Sequence, residues 1–230
     1  MSHKVIGTQV QAMFDSIAPS YDRANTVLSF GIHYLWRHLL LRTIPKSMTS
    51  SALDLCTGTG DLLPGLSKRC GRVVGVDFSR EMIISGQAKW RNLSSVIVVQ
   101  GDGLRMPVSD SSFDVATVAF GVRNFEDLEK GLREIARVLK RGGELRVLEF
   151  GQPQHWFWRT LFQCYSRLVM PCLGGLLSGN FAAYRYLPET SRVFPCGDTF
   201  SKILQTCGFD AYKTRSLSGG IAYLYQARKL

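Results

Sequence analysis

Three groups of residues in this 230-residue chain have types and spacing suited to holding a ligand. The first is Cys56-Thr57-Gly58-Thr59-Gly60-Asp61, a short turn behind the apolar run Ala52–Cys56. Glycine lets backbone N–H groups approach a ligand closely, and a turn that opens a helix favours a nucleotide-type group. Two glycines alone carry little weight. The dinucleotide fingerprint would put its third glycine at position 63, where Leu63 stands, so a pyrophosphate cofactor packed on this helix is disfavoured. The second group is Asp77, 17 residues beyond Gly60 at the end of the next apolar run. A carboxylate there can accept hydrogen bonds from two ribose hydroxyls; its plainer alternative is to cap the helix that follows. The third is Gln100-Gly101-Asp102-Gly103, where Asp102 is placed to accept from an adenine amino group. Asp-Gly is also a common turn pair, so this element counts only in combination.

The elements that position these residues alternate. Strands are predicted at Ala52–Cys56, Arg72–Val76, Val96–Gln100, Val115–Ala119 and Glu144–Phe150. Helical spacing occupies Asp61–Lys68, Arg80–Arg91 and Leu128–Leu139, the last with Asp127 as N-cap and Gly142-Gly143 beyond its end. Alternating strand and helix predicts an α/β fold with a mostly parallel sheet covered by helices on both faces. All three ligand-binding groups then lie at C-terminal strand ends, where open α/β sheets bind ligands. Residues 1–45 read as helical, broken at Ala18-Pro19-Ser20. Residues 151–200 are aromatic-rich, hold four of the eight prolines and read as an irregular lid insertion. A helix at Phe200–Cys207 and strands at Ala211–Arg215 and Ile221–Gln226 close the chain, joined by a turn at Ser218-Gly219-Gly220. The whole reads as one domain: a helical cap over 1–45, a cofactor-binding core over 46–150, a substrate lid over 151–200 and a terminal helix and hairpin over 201–230.

In order and spacing these groups resemble the motifs of class I methyltransferases. That resemblance implies a Rossmann-like, seven-stranded sheet with an antiparallel terminal strand. It also implies S-adenosylmethionine as the ligand. Gly58, Thr59 and Gly60 would face its methionine part, Asp77 the ribose, and Asp102 with Gly103 the adenine. The flanks narrow the likeness. Tyr21-Asp22-Arg23-Ala24-Asn25-Thr26-Val27-Leu28-Ser29, followed by Gly31, His33 and Trp36, resembles the N-terminal signature of the ubiquinone/menaquinone biosynthesis C-methyltransferases. Phe120–Asn124, Arg137–Lys140 with Gly142-Gly143 and Glu149, Tyr186–Glu189 and Gly219–Ile221 extend that resemblance over essentially the whole chain. Ala24, Arg141 and Gly151 depart from it, standing where the family usually has Met, Pro and Ser.

The resemblance implies methylation of a ring carbon of a polyprenylated quinol, demethylmenaquinol to menaquinol or a benzoquinol precursor of ubiquinone. A hydroquinone has an electron-rich carbon beside its hydroxyl, and loss of the hydroxyl proton makes that carbon a better nucleophile. The protein's main task is then alignment. Arg123 and Asn124 follow the fourth strand, where acceptor should meet cofactor. Arginine stays protonated, so Arg123 suits an oxyanion or a water rather than the role of a free base. Its plainer alternative is an ion pair with Glu126 or Asp127. Tyr21 and Asp22 would complete this wall, Asp22 as a candidate general base and Tyr21 otherwise as a core aromatic. His33 and His38 are expected to pack or cap rather than catalyse. Two other readings compete: a methyltransferase for another small phenol or lipid, and a non-enzymatic cofactor-binding module at a membrane.

The net charge of +10 is uneven. Residues 1–50 carry +3, 51–150 carry +1 and 151–230 carry +6. Basic flanks point to an anionic partner. Nucleic acid is disfavoured, because base-amino methyltransferases usually carry Pro-Pro-aromatic where this chain has Ala119-Phe120-Gly121-Val122. In Trp156–Leu168, Arg159, Gln163 and Arg167 fall four apart, while Phe157, Leu161, Cys164 and Leu168 lie on another side. Such a helix suits a membrane interface, and equally a core-packed helix with a solvated basic face. Trp156–Leu177 contains arginines, a proline and a Gly-Gly pair, so it is a poor spanning helix. No secretory signal is evident in MSHKVIGTQVQAMF. The six cysteines form no C-x-x-C pair, so no metal site is expected. These features point to a cytoplasmic protein at the inner face of the membrane, with its assembly, monomer or homodimer, open.

Overall fold

The computed structural model describes residues 7–230. The part of the helical expectation that falls on residues 1–6 lies outside them. Helices α1 (Gly7–Ile17), α2 (Tyr21–Leu28) and α3 (Ile32–Arg42) come first, with a 3-10 turn at Ala18–Ser20 where Pro19 breaks the run. Then follow β1 (Ser47–Leu55), α4 (Leu63–Ser67), β2 (Cys70–Asp77), α5 (Arg80–Gly86), β3 (Val96–Gln100), β4 (Phe113–Ala119), α6 (Leu128–Val138) and β5 (Leu139–Phe150). Helices α7 (Trp156–Cys164), α8 (Met170–Ser178), α9 (Phe181–Val193) and α10 (Asp198–Thr206) precede β6 (Phe209–Leu217) and β7 (Ala222–Lys229).

Among the described residues the strands form one seven-stranded sheet in the order β3-β2-β1-β4-β5-β7-β6. Every pair is parallel except β5–β7 and β6–β7, so β7 alone runs against the rest. The central strands are buried on both faces. Leu53, Leu55, Val74 and Val76 pack with Leu132 and Ile135 of α6, while Ala52, Val73 and Val115 pack with Trp36 and Leu40 of α3 and with Leu66 of α4. The chain runs outward from β1 to β2 and β3, then returns to β4 on β1's other side. The crevice beyond the C-terminal ends of β1 and β4 is therefore the topological switch point.

Several elements differ from the sequence expectation, and the clearest differences have local reasons. Helix α4 starts at Leu63 rather than Asp61, because Pro64 fits only a first turn and the Asp61 carboxylate is engaged elsewhere. Helix α5 stops at Gly86 and tightens into a 3-10 turn, Gln87–Lys89. A Cβ at Gly86 would lie 1.9 Å from the Thr59 carbonyl oxygen, so this glycine allows α5 to touch the glycine turn. Strand β5 begins at Leu139, which pairs with Phe113 before the register shifts. Residues 151–200 are mostly helical, not irregular: α7 passes through one π turn at Tyr165–Val169 into α8, and Pro188 sits inside α9. Tyr184 and Ala183 of α9 bury against Ala24 and Leu28 of α2 and Met82 of α5, so lid and N-terminal helices pack as one body over the switch point.

Candidate active site

Two connected spaces occupy the switch point. The smaller is a cleft beyond β1–β3, roofed by Val10, Gln11 and Phe14 of α1. Its floor begins where Cys56 (φ 55°) and Gly58 (φ 57°) turn the chain out of β1. Both are in the left-handed region, and a Cβ on Gly58 would meet only open space. Beneath the turn, buried Asp54 accepts 2.6 Å hydrogen bonds from the hydroxyls of Thr57 and Thr117. Asp77 ends β2 and accepts from the backbone N–H of Gly58 (2.7 Å) and of Ser79 (2.9 Å). Burial pushes its carboxyl up to about 6, against those two bonds. Asp102 accepts from the Leu104 N–H at 2.9 Å. Asp102 and Gly103 line the cleft beside Phe78 and Phe125. Ser79 caps α5 and donates to Asp15 at 2.5 Å, tying the α1 roof to the β2 end.

The cleft fits the group that the sequence motifs imply. Its acceptors, Asp77 and Asp102, match hydroxyl and amino donors. Phe78, Phe125, Leu55 and Val76 supply an apolar slot for a flat base. Gly58 leaves room where the chain must come close. Thr59 and Gly60 take other parts in the turn. The Thr59 hydroxyl donates to Asp22 at 2.7 Å, and a Cβ at Gly60 would strike the Trp90 ring at 2.6 Å.

The larger space is a cavity of about 1020 Å³ between α2–α3 and the α7–α9 layer. Tyr21 and Phe120 line both spaces, so the two meet there. Burial raises the Tyr21 hydroxyl above its ordinary value despite Arg37 and Arg123 nearby, so it stays a donor. Arg123 enters from the 3-10 turn after β4. Its Nη1 donates to Glu149 Oε1 (2.7 Å) and to the Phe120 carbonyl (2.6 Å). The guanidinium carbon stands 5.1 Å from the Phe150 ring centre. Both charged side chains are nearly sealed, at 2% and 0% exposure. Among the described residues Arg123 Nε is buried with no hydrogen-bond partner. Asn124 faces the cleft instead, and its side-chain oxygen accepts from the Tyr186 hydroxyl at 3.2 Å.

Asp22 lies behind this wall. Lys89 approaches its carboxylate at 2.5 Å and that of Asp61 at 2.5 Å, and Asp61 reaches Arg37 at 2.9 Å. Burial alone would raise Asp61, but Arg37 and Lys89 prevail and hold its carboxyl below the usual range. The network runs from the cavity wall at Arg37 to the glycine turn at Thr59.

Motif spacing disclosed neither Glu149 as the partner of Arg123 nor the connected set of Lys89, Asp61 and Arg37. One signal was available: Glu149 follows the apolar run of β5, and a carboxylate that deep requires a cation. Arg123 pairs with Glu149 of β5; an ion pair with Glu126 or Asp127 was the plainer alternative reading. Among the described residues no His, Cys, Asp and Glu cluster could hold a metal ion.

A model described as the ubiE/COQ5 methyltransferase family matches residues 2–229. A Bdellovibrio bacteriovorus protein named "Ubiquinone/menaquinone biosynthesis C-methyltransferase UbiE" is 40% identical over 222 residues, 94% of this chain and 94% of its own. A Bacteroides fragilis protein named "Demethylmenaquinone methyltransferase" is 40% identical over 226 residues, 96% of this chain and 92% of its own. Among solved structures, an S-adenosylmethionine-dependent methyltransferase from Aquifex aeolicus superposes with a TM-score of 0.63 at 21% identity. It covers 84% of this chain and 89% of that one, and the likeness is one of fold.

Proposed function

The chain belongs to the ubiE/COQ5 methyltransferase family and is an S-adenosylmethionine-dependent methyltransferase, and from that premise we propose that its acceptor is a ring carbon of a polyprenylated quinol, demethylmenaquinol above all. The observation that carries this reading is the large cavity joined to the cleft at Tyr21 and Phe120. Its walls are mainly apolar, as a quinol ring and prenyl tail require, and Tyr21, Arg37 and Arg123 supply polar groups among them.

When bound, the cofactor supplies an electrophilic methyl group on a sulfonium. Gly58, Asp77, Asp102 and Gly103 would hold it, with Thr59 and Gly60 shaping the turn. Arg123 faces the quinol oxygen as a fixed positive charge. Glu149 fixes the guanidinium in place, so little reorganisation is needed as the oxyanion forms. Tyr21 donates at the junction, and Asn124 with Tyr186 closes the side toward the cofactor. The Asp22 carboxylate holds α2 to Thr59 and Lys89, and acting as a base would require it to leave that pair. Purified protein given labelled cofactor and a prenylated naphthoquinol must move label into the organic-extractable quinol. No transfer to any quinol would overturn the reading.

The cavity mouth supports peripheral membrane contact. Trp156, Phe157, Trp158, Leu161 and Leu168 of the α7–π segment are 49–68% exposed. Arg159 and Arg167 line the mouth beside them. An exposed aromatic and aliphatic patch rimmed by arginine suits an anionic lipid surface, from which a prenylated substrate would enter. Among the described residues no helix is long and apolar enough to cross a membrane. The protein is expected to co-sediment with anionic vesicles at low salt. Combined Trp156→Ala, Phe157→Ala and Trp158→Ala changes should release it while sparing transfer to a short-tailed quinol. Failure of the unaltered protein to bind such vesicles would exclude this contact.

A further inference from the structure

A polar group on the cavity wall, His33, is unused by the mechanism above. His33, the second residue of α3, is 5% exposed and lines the cavity with Arg37, one helical turn on, and with Tyr21 and Arg123. Its Nδ1 lies 2.5 Å from the Ser29 hydroxyl oxygen. The Tyr34 ring packs on it with centroids 4.0 Å apart. None of the described hydrogen bonds engages Nε2.

Resting on the quinol reading, we propose that His33 is a neutral hydrogen-bond donor to the quinol oxygen: the Ser29 hydroxyl donates to Nδ1, which keeps the proton on Nε2 toward the cavity. Sequence reasoning assigned His33 to packing or capping. Among the described residues the structure gives its ring one hydrogen-bond partner, Ser29, and a place on the cavity wall.

The surroundings keep the ring uncharged. Burial first and Arg37 second lower its pKa to about 4. Asp61 behind the glycine turn and Asp22 on α2 act the other way, and Lys89 opposes them. The start of α3 adds the positive end of a helix dipole. A ring this hard to protonate is a poor general base at neutral pH and a good neutral donor. A histidine held neutral at a helix start polarises a substrate oxygen elsewhere in enzymology.

In the reaction the quinol hydroxyl proton leaves to water and the oxyanion rests among Arg123, Arg37 and His33 Nε2–H. The ring carbon forms its bond to the methyl carbon as the methyl–sulfur bond breaks, its electron pair going to sulfur. The ring carbon then loses its own proton while the oxygen takes one back, so one proton is released overall. His33 starts and ends neutral.

The test compares His33→Gln, which keeps an N–H near the Nε2 position, with His33→Leu, which has none. Labelled methyl transfer to a reduced prenylated naphthoquinol is followed from pH 6 to pH 10. S-Adenosylhomocysteine binding by calorimetry reports whether each variant remains folded. The leucine variant should lose about 100-fold at neutral pH, the scale of one oxyanion donor. Its rate should climb toward wild type as alkali ionises the quinol unaided. The glutamine variant should stay within about tenfold of wild type throughout. Full activity in the leucine variant, equal loss in both, or a loss independent of pH would overturn the proposal. A wild type inert toward every quinol would overturn it together with the quinol reading, whereas an active wild type with an unaffected leucine variant would overturn the proposal alone.

Discussion

Arg123→Ala is expected to reduce methyl transfer by about 1000-fold and to lower folding stability by about 3–5 kcal/mol. Both effects come from one geometry. The Arg123 guanidinium and the Glu149 carboxylate are sealed against each other 2.7 Å apart. Removing the arginine leaves a carboxylate in the sheet whose Oε1 otherwise accepts from Arg123 Nη1 and from the Phe150 N–H. An unpaired buried charge costs far more than an exposed one. The activity loss is separate, because the developing oxyanion also loses its fixed positive partner. A double variant, Arg123→Met with Glu149→Leu, separates the two. It removes both charges and fills the space, so stability should return toward wild type while transfer stays lost. Denaturant unfolding and label transfer on the three proteins read this out. A single variant as stable as wild type would contradict the buried-pair account. A double variant that transfers methyl groups would contradict the role at the oxyanion.

Asp77→Asn is expected to weaken cofactor binding by about 100- to 10,000-fold. Two hydrogen bonds to a charged acceptor are worth roughly 1.5–3 kcal/mol each, and the amide keeps one acceptor and turns a donor toward the hydroxyls. The unaltered protein should show the same dependence through pH. Burial holds the Asp77 carboxyl at about 6 against an ordinary 3.8. Below pH 6 the unliganded protein protonates it, and cofactor affinity should fall about tenfold per pH unit. The stability of the unliganded fold responds in the opposite sense. A carboxyl whose pKa is raised by folding favours the folded state at low pH, and that contribution is lost as pH rises through about 6. Asp54, also raised to about 6 by burial, adds to the same trend. Calorimetric titrations with S-adenosylhomocysteine between pH 5 and pH 8 test this. Flat affinity across that range would remove Asp77 from the cofactor contact.

The cleft beyond β1–β3 was legible in the sequence because its parts are local. Gly58, Asp77 and Asp102 each sit where a strand gives way to a turn, and strand periodicity plus turn residues locate such places directly. Leu63 was informative for the same reason, since one side chain rules out one packing. The larger cavity and the charged network beside it were less legible because they are assembled across the chain. Arg123 meets Glu149 only because β4 and β5 pair in parallel register. Lys89 joins Asp22 to Asp61 only because α5 lies against the glycine turn and α2 folds back over it. None of these contacts has a sequence spacing of its own. The lid misled for another reason: prolines and glycines usually mark irregular chain, yet Pro171 and Pro188 are absorbed into helices here. Gly174 and Gly175 are the small residues that let α8 press on Tyr184 and Phe181 of α9. His33 shows the remaining limit. Its sequence position fitted packing or capping, and only the cavity on one side and Ser29 on the other suggest the role proposed for it.

The most direct measurement of the central claim is the atom that receives the methyl group. The purified protein would be incubated with cofactor carrying a labelled methyl and a prenylated naphthoquinone, once reduced and once oxidised, and the products separated and sequenced by fragmentation mass spectrometry. Label on a ring carbon, formed only from the reduced substrate, is the expected result. Label on oxygen, or equal transfer to the oxidised ring, would contradict it.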